Sequence, residues 1–236
     1  MPLAAHLRRG LLAGLMAGLA AGLFHSLASE PLIEQALGYE AAGGAEVFSR
    51  GVQRGGLVAA TALYGVALGG IFGLVYHLLA RQAPAHRRDR APAHRRDSAW
   101  HRSIALALAG FATFFLVPFL KYPANPPGVG DPSTIGSRTS MYVAMLAIAL
   151  LASLGAWAGA RRLAALAPHR RHLLVGAVYI AAVGAAYGLL PANPDPVGIP
   201  AQLLWSFRTA SAAGQALLWS TLGAAFGLLT LRNAGS

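Results

Sequence analysis

The sequence predicts an all-α integral membrane protein of six transmembrane helices in three out-and-back hairpins, with both termini in the cytoplasm. Three observations carry this expectation. Six apolar stretches, Leu11–Ala28, Leu57–Ala80, Ile104–Leu120, Met141–Ala160, Leu173–Leu190 and Ala212–Leu231, divide the 236 residues. Each is about as long as a helix needs to cross roughly 30 Å of hydrocarbon. Basic residues alternate between the intervening pieces. Of 19 Lys and Arg, 14 fall in the two tails and the second and fourth loops, and 5 in the first, third and fifth loops. Cytoplasmic pieces carry the basic excess, which orients the chain. Composition agrees: 56% of residues are hydrophobic and 11% charged, against about 45–50% and 25% in soluble domains.

A formal net charge of +11 invites a nucleic-acid reading, but the location of the charge argues against it. The basic pieces contain only Asp89 and Asp97, whereas Glu30, Glu34, Glu40, Glu46, Asp131 and Asp195 lie on the opposite side. The excess is a topology signal with attraction for anionic lipid headgroups. The chain contains no cysteine, which excludes disulfides, thiolate ligands and cysteine nucleophiles. The expected organisation is one polytopic domain over residues 1–236 in an inner (cell) membrane.

In span one, Gly14, Gly18 and Gly22 form a small face suited to close helix packing. Arg8-Arg9, the apolar run and Ser26-Leu27-Ala28 also fit a cleavable signal peptide; cleavage would leave five spans. The length of the run and its glycine ladder favour retention. The first outer loop opens with Glu30-Pro31 and closes with Ser49-Arg50. Span two repeats the ladder at Gly65, Gly69 and Gly73. The loop over 81–103 contains a duplicated octapeptide beginning at Ala83 and Ala91. Its Pro, Arg and Ala content predicts a disordered linker. His86 and His94 invite a metal reading, but a slipped duplication in a tolerant loop explains them better.

Spans three to six carry a second repetition. Pro123-Ala124-Asn125-Pro126 follows span three, and Pro191-Ala192-Asn193-Pro194 follows span five. Arg138-Thr139 precedes span four, and Arg208-Thr209 precedes span six. Each unit is a span, a Pro-Asn turn, an Arg-Thr entry and a returning span. Such repeats can be related by an axis along the membrane normal, as in some transporters. Gly155/Gly159, Gly184/Gly188 and Gly223/Gly227 extend the small-residue pattern.

The unusual polar residues cluster near the outer side. His25, Glu30 and Glu34 are candidate ligands for a divalent cation, imidazole and carboxylate suiting Co, Ni, Mn or Mg. The competing reading pairs the acids with Arg50, Arg54 or Arg138 to hold the loops. Arg50, Gln53 and Arg54 share a helix face. Arginine near membrane depth pairs or lines water. With Arg138 and Arg208, these arginines can ring one vestibule, favouring an anion or, balanced by the acids, forming a salt-bridged collar. Lys121, Asn125, Asp131 and Asn193 complete the candidates for a transport path or gate; turn and capping roles compete for the two asparagines. His6 and His77 stand as single residues. No Walker loop, dinucleotide fingerprint, HExxH or GxSxG occurs, so neither an enzyme nor an ATP-driven pump is expected, and no cofactor.

Glu30-Pro31-Leu32-Ile33-Glu34, the run Ser49–Arg54 with Tyr64–Gly70, Val117–Pro127 through Asp131-Pro132 to Arg138-Thr139, and Phe207–Ser211 with Gln215–Trp219 resemble the CbtA family. The resemblance covers nearly the whole chain apart from the Arg-rich loop. It implies the larger subunit of a cobalt (Co²⁺) transporter linked to cobalamin synthesis, working with a small one-span, His-rich CbtB-like partner. The family is described with five spans, so the first span is the point of difference. No ligand set carries over. Alternatives are a carrier for an anion or organic solute that uses the arginine collar, and a membrane scaffold that transports nothing. Assembly of several copies stays open.

Overall fold

In the computed structural model, residues 2–39, 49–82, 92–193, 195 and 197–232 are described, with backbone alone for 92–96 and 232. Among them no strand occurs. The elements are α1 (Leu3–Ala28), α2 (Glu30–Leu37), α3 (Arg50–Arg81), α4 (Pro92–Phe111), a π-helical turn (Ala112–Leu116), α5 (Val117–Lys121), a 3₁₀ turn (Pro132–Thr134), α6 (Ile135–Arg162), α7 (Pro168–Leu189) and α8 (Ala201–Arg232). Among the described residues, six helical segments are long and apolar enough to span a membrane; they contain the six predicted stretches, except that the fifth ends at Leu189, one residue before the predicted Leu190.

α1 is the centre of the fold because two of its faces are built from small residues. Gly10, Gly14, Gly18 and Gly22 meet α3 so closely that a Cβ on Gly14 would lie 2.0 Å from the Gly65 carbonyl oxygen. Reciprocally, a Cβ on Gly65 would lie 2.3 Å from the Gly14 oxygen. Lipid supplies no hydrophobic drive between helices, so such backbone contact provides the cohesion. On the neighbouring face, Ala13, Ala17 and Ala21 are buried in one cluster with Phe72, Tyr76, Leu218, Leu222 and Phe226. The outward leucines, Leu11, Leu12, Leu15 and Leu23, are exposed, as a lipid-facing surface requires.

α8 continues the core toward α4. Trp219 packs over Gly110 and Trp100 over Gly227, each at a distance a Cβ would obstruct. The Ser103 hydroxyl, fully buried, donates to the Gly223 carbonyl at 2.6 Å. The packing order is therefore α3–α1–α8–α4. α6 and α7 form a second pair around Met145, Ala149 and Ala186.

The chain path runs out and back as predicted, but the later hairpins exchange partners. α6 packs on α7, while α8 packs on α1 and α4. The glycines of α6 and α7 take little part: a Cβ on Gly155, Gly184 or Gly188 would meet nothing within 4 Å. The linker expected over 81–103 is also revised. Residues 92–103, including most of the second octapeptide copy, belong to α4. Residues 83–91, Glu40 and Glu46 lie outside the described residues, and for His94 only the backbone is described.

Span three is irregular for an identifiable reason. Pro118 has no N–H and its ring crowds the preceding turn. The Val117 N–H bonds the Ala112 carbonyl, an i→i−5 closure that widens the helix just before the proline. The Thr113 hydroxyl ties this turn to Ser153 of α6 at 2.7 Å. The widening aims Phe115 and Phe119 into a cavity between the separated hairpins.

Candidate functional site

That cavity has a volume of about 810 Å³ and lies at the end of the bundle that carries the Pro-Asn turns. Its aromatic wall includes Phe115, Phe119, Tyr122 and Tyr142, and its polar groups include Lys121, Asn125, Arg138, Asn193, Asp195 and Arg208.

The two Pro-Asn turns are each held by the arginine of the other repeat. Arg208, near the start of α8, donates to the Ala124 carbonyl at 3.2 Å and to the Asn125 Oδ1 at 3.0 Å. Arg138, near the start of α6, places its Nε 3.1 Å from Oδ2 of Asp195 in the second turn. The Asp195 side chain is only 3% exposed, and its Oδ2 also accepts from the Thr134 hydroxyl at 2.6 Å. The remaining Arg138 nitrogens reach the Val129 and Asp131 carbonyls. Gly130 has φ +102°, and a Cβ there would sit 2.7 Å from Arg138 Nη1. Glycine is therefore required both by the backbone angle and by the approach of the guanidinium.

α5 is stitched to the end of α7 by a second set of bonds. Tyr187 donates to the Val117 carbonyl at 2.5 Å, Lys121 to the Tyr187 carbonyl at 2.8 Å, and Tyr122 to the Pro191 carbonyl at 2.7 Å. Asn193 accepts from the Asp195 N–H, a turn-closing role. Asp131 faces solvent, where its side chain caps the 3₁₀ turn through the Ser133 N–H. That backbone bond, with the Ser133 hydroxyl, holds its carboxyl below the usual aspartate range.

The first hairpin closes on itself. Glu30, 7% exposed, pairs with Arg50 at 2.5 Å and lies 3.6 Å from Arg54, while Arg54 also pairs with Glu34. Arg50 donates to Gln53 as well. His25 instead bonds Ser29 through Nδ1 at 2.7 Å and packs against Gly214 of α8. The predicted cation set of His25, Glu30 and Glu34 is thus not assembled, because arginines occupy both carboxylates and the imidazole faces elsewhere. Among the described residues no group of three or more His, Cys, Asp or Glu is placed to hold a metal ion. The expected ring of four arginines is likewise divided: Arg50 and Arg54 lock the first loop, and Arg138 and Arg208 line the cavity.

A family model described as a probable cobalt transporter subunit, CbtA, matches residues 3–231. The chain belongs to the CbtA family. No curated protein and no solved structure gives a significant match. The CbtA match takes in α1, so the first of the six helices lies inside the family's own region. With six membrane-spanning helices and a transporter family, the chain is a multi-pass membrane protein. The description as a subunit implies a further component.

Sequence reasoning left His6 and His77 apart. In the structure, their Nδ1 atoms are 3.2 Å apart in a buried contact beside Tyr76 and Phe226, at the opposite end of the bundle from the cavity. It also missed Asp195, Tyr122, Tyr187 and the aromatic wall. The signal for Asp195 was present: it sits within the repeated Pro-Asn turn, and its partner is the arginine of the other repeat.

Proposed function

We propose that this chain is the permease component of a cobalt uptake system, located in the bacterial inner membrane and serving cobalamin synthesis. The cavity between the exchanged hairpins is the observation that carries this reading. It is a polar chamber at the interface of two sequence repeats, as are the cargo sites of repeat-built transporters, though it lies nearer the Pro-Asn end of the bundle than their midplane sites. A small one-span, His-bearing subunit is the proposed partner. In the proposed orientation both termini are cytoplasmic and the Pro-Asn turns face outward.

Labelled-cobalt uptake by metal-starved cells should rise when this chain and its partner are expressed together, and should be absent with neither. Uptake that is identical with and without the chain defeats the proposal. The orientation has its own check. The natural chain has no cysteine, so Ala192→Cys provides a single reporter. It should react with an impermeant thiol reagent in intact spheroplasts. Labelling that occurs only after the cells are broken would reverse the topology.

A further inference from the structure

We propose that the cavity binds cobalt as an anionic organic chelate, a cobalt–polycarboxylate complex, and not as the hydrated cation. This rests on the cobalt-permease reading above and names the form of its cargo. The argument begins with charge. Among the described residues, three cations line the chamber, Lys121, Arg138 and Arg208, against one carboxylate, Asp195. That carboxylate is already engaged by Arg138 and the Thr134 hydroxyl. The acceptors facing Lys121 and Arg208 are neutral: the Tyr187 and Ala124 carbonyls and the Asn125 amide. Neutral dipoles hold these side chains in place without cancelling their charge, so cations exceed carboxylates among the described lining residues. That excess disfavours a bare divalent cation.

The lining chemistry gives the same answer. Among the described residues no histidine lines the chamber, so imidazole ligands for a naked cobalt ion are not found where cargo would dwell. Guanidinium and ammonium groups are instead matched to carboxylate oxygens. Phe115, Phe119, Tyr122 and Tyr142 add apolar area suited to a carbon framework. The volume of about 810 Å³ far exceeds what one hydrated ion fills and falls within the range of organic-ligand sites. A polycarboxylate shell around the metal meets these conditions together: its outer oxygens face the cations, its carbon skeleton faces the rings, and its own donors complete the metal's coordination.

Purified protein in detergent should be tested with three probes: ⁵⁷Co²⁺ in weakly coordinating buffer, ⁵⁷Co²⁺ with a slight excess of citrate, and ¹⁴C-citrate without metal. The expected result is retention of the cobalt–citrate complex, with little retention of the aqua ion or of free citrate. Lys121→Gln removes one charge and keeps a donor for the Tyr187 carbonyl. It should weaken binding of the complex by about tenfold, the scale of one charge-assisted bond. Retention of the aqua ion that citrate abolishes overturns the inference. Equal retention of metal-free citrate assigns the chamber to the organic anion alone and also overturns it, as does retention of none of the three. Should Lys121→Gln not fold, the three wild-type arms still decide. Cell uptake separates the two levels. Uptake that requires this chain but is suppressed by citrate keeps the permease reading and ends the chelate inference. Uptake independent of the chain ends the permease reading.

Discussion

Gly14→Leu should abolish the α1–α3 contact and remove nearly all folded, monodisperse protein. A Cβ at this position would lie 2.0 Å from the Gly65 carbonyl oxygen and 2.9 Å from the Gly69 Cα. Both obstacles are backbone, which cannot rotate aside as a side chain can. The two helices must separate, and α1 also carries Ala13, Ala17 and Ala21 into the cluster with Leu222 and Phe226. Displacing α1 therefore opens the packing on both of its faces. The milder Gly14→Ala should cost about 1–3 kcal/mol, the usual scale of overpacking. Gly155→Ala is the control. Nothing lies within 4 Å of its added Cβ, and the change should fall within about 0.5 kcal/mol. Thermal denaturation in detergent, followed by size-exclusion chromatography, measures both. If Gly14→Ala and Gly155→Ala melt alike, the close helix contact carries no stability.

Arg138→Ala should destabilise the protein by about 3 kcal/mol, since it strands a buried carboxylate. Among the described residues, Asp195 would keep the Thr134 hydroxyl alone, at 3% side-chain exposure. The Val129 carbonyl would lose the Arg138 donor as well, whereas the Asp131 carbonyl would keep the Thr134 N–H and hydroxyl. Asp195→Asn should cost less, about 1–2 kcal/mol, because no uncompensated charge remains. Replacing both residues together, Arg138→Met with Asp195→Leu, should be less harmful than Arg138→Ala alone. That ordering is the mark of a buried pair whose loss on one side leaves the other unsolvated. Chemical denaturation of the four proteins checks it. A double variant more damaged than Arg138→Ala alone would show that the two side chains act independently.

Much of the fold is legible in the sequence because bilayer thickness and the inside preference of arginine act over whole segments. The six spans needed no tertiary information. Partner choice was not legible. A glycine ladder says that a helix can be approached closely, and says nothing of which helix approaches. Gly14 and Gly65 do form such a contact, whereas Gly184 and Gly188, with the same spacing, face open space. The candidate site was legible in part. Arg138, Arg208, Lys121, Asn125 and Asn193 were marked by the duplicated turns, and all line the cavity. His25, Glu30 and Glu34 were marked by ligand chemistry, which competed with charge pairing, and pairing won because Arg50 and Arg54 lie opposite. The contact between His6 and His77 joins residues 71 positions apart, a separation that no local spacing encodes.

The exchange of arginines between the two Pro-Asn turns makes their movements interdependent. Swinging α8 pulls on Asn125 in the opposite unit, and tilting α6 pulls on Asp195 in return. Either half can swing aside only by breaking its clasp or drawing its counterpart along. The mouth of the chamber is accordingly fastened twice, once from each side, and a guest that wedges between the arginines touches both halves at once.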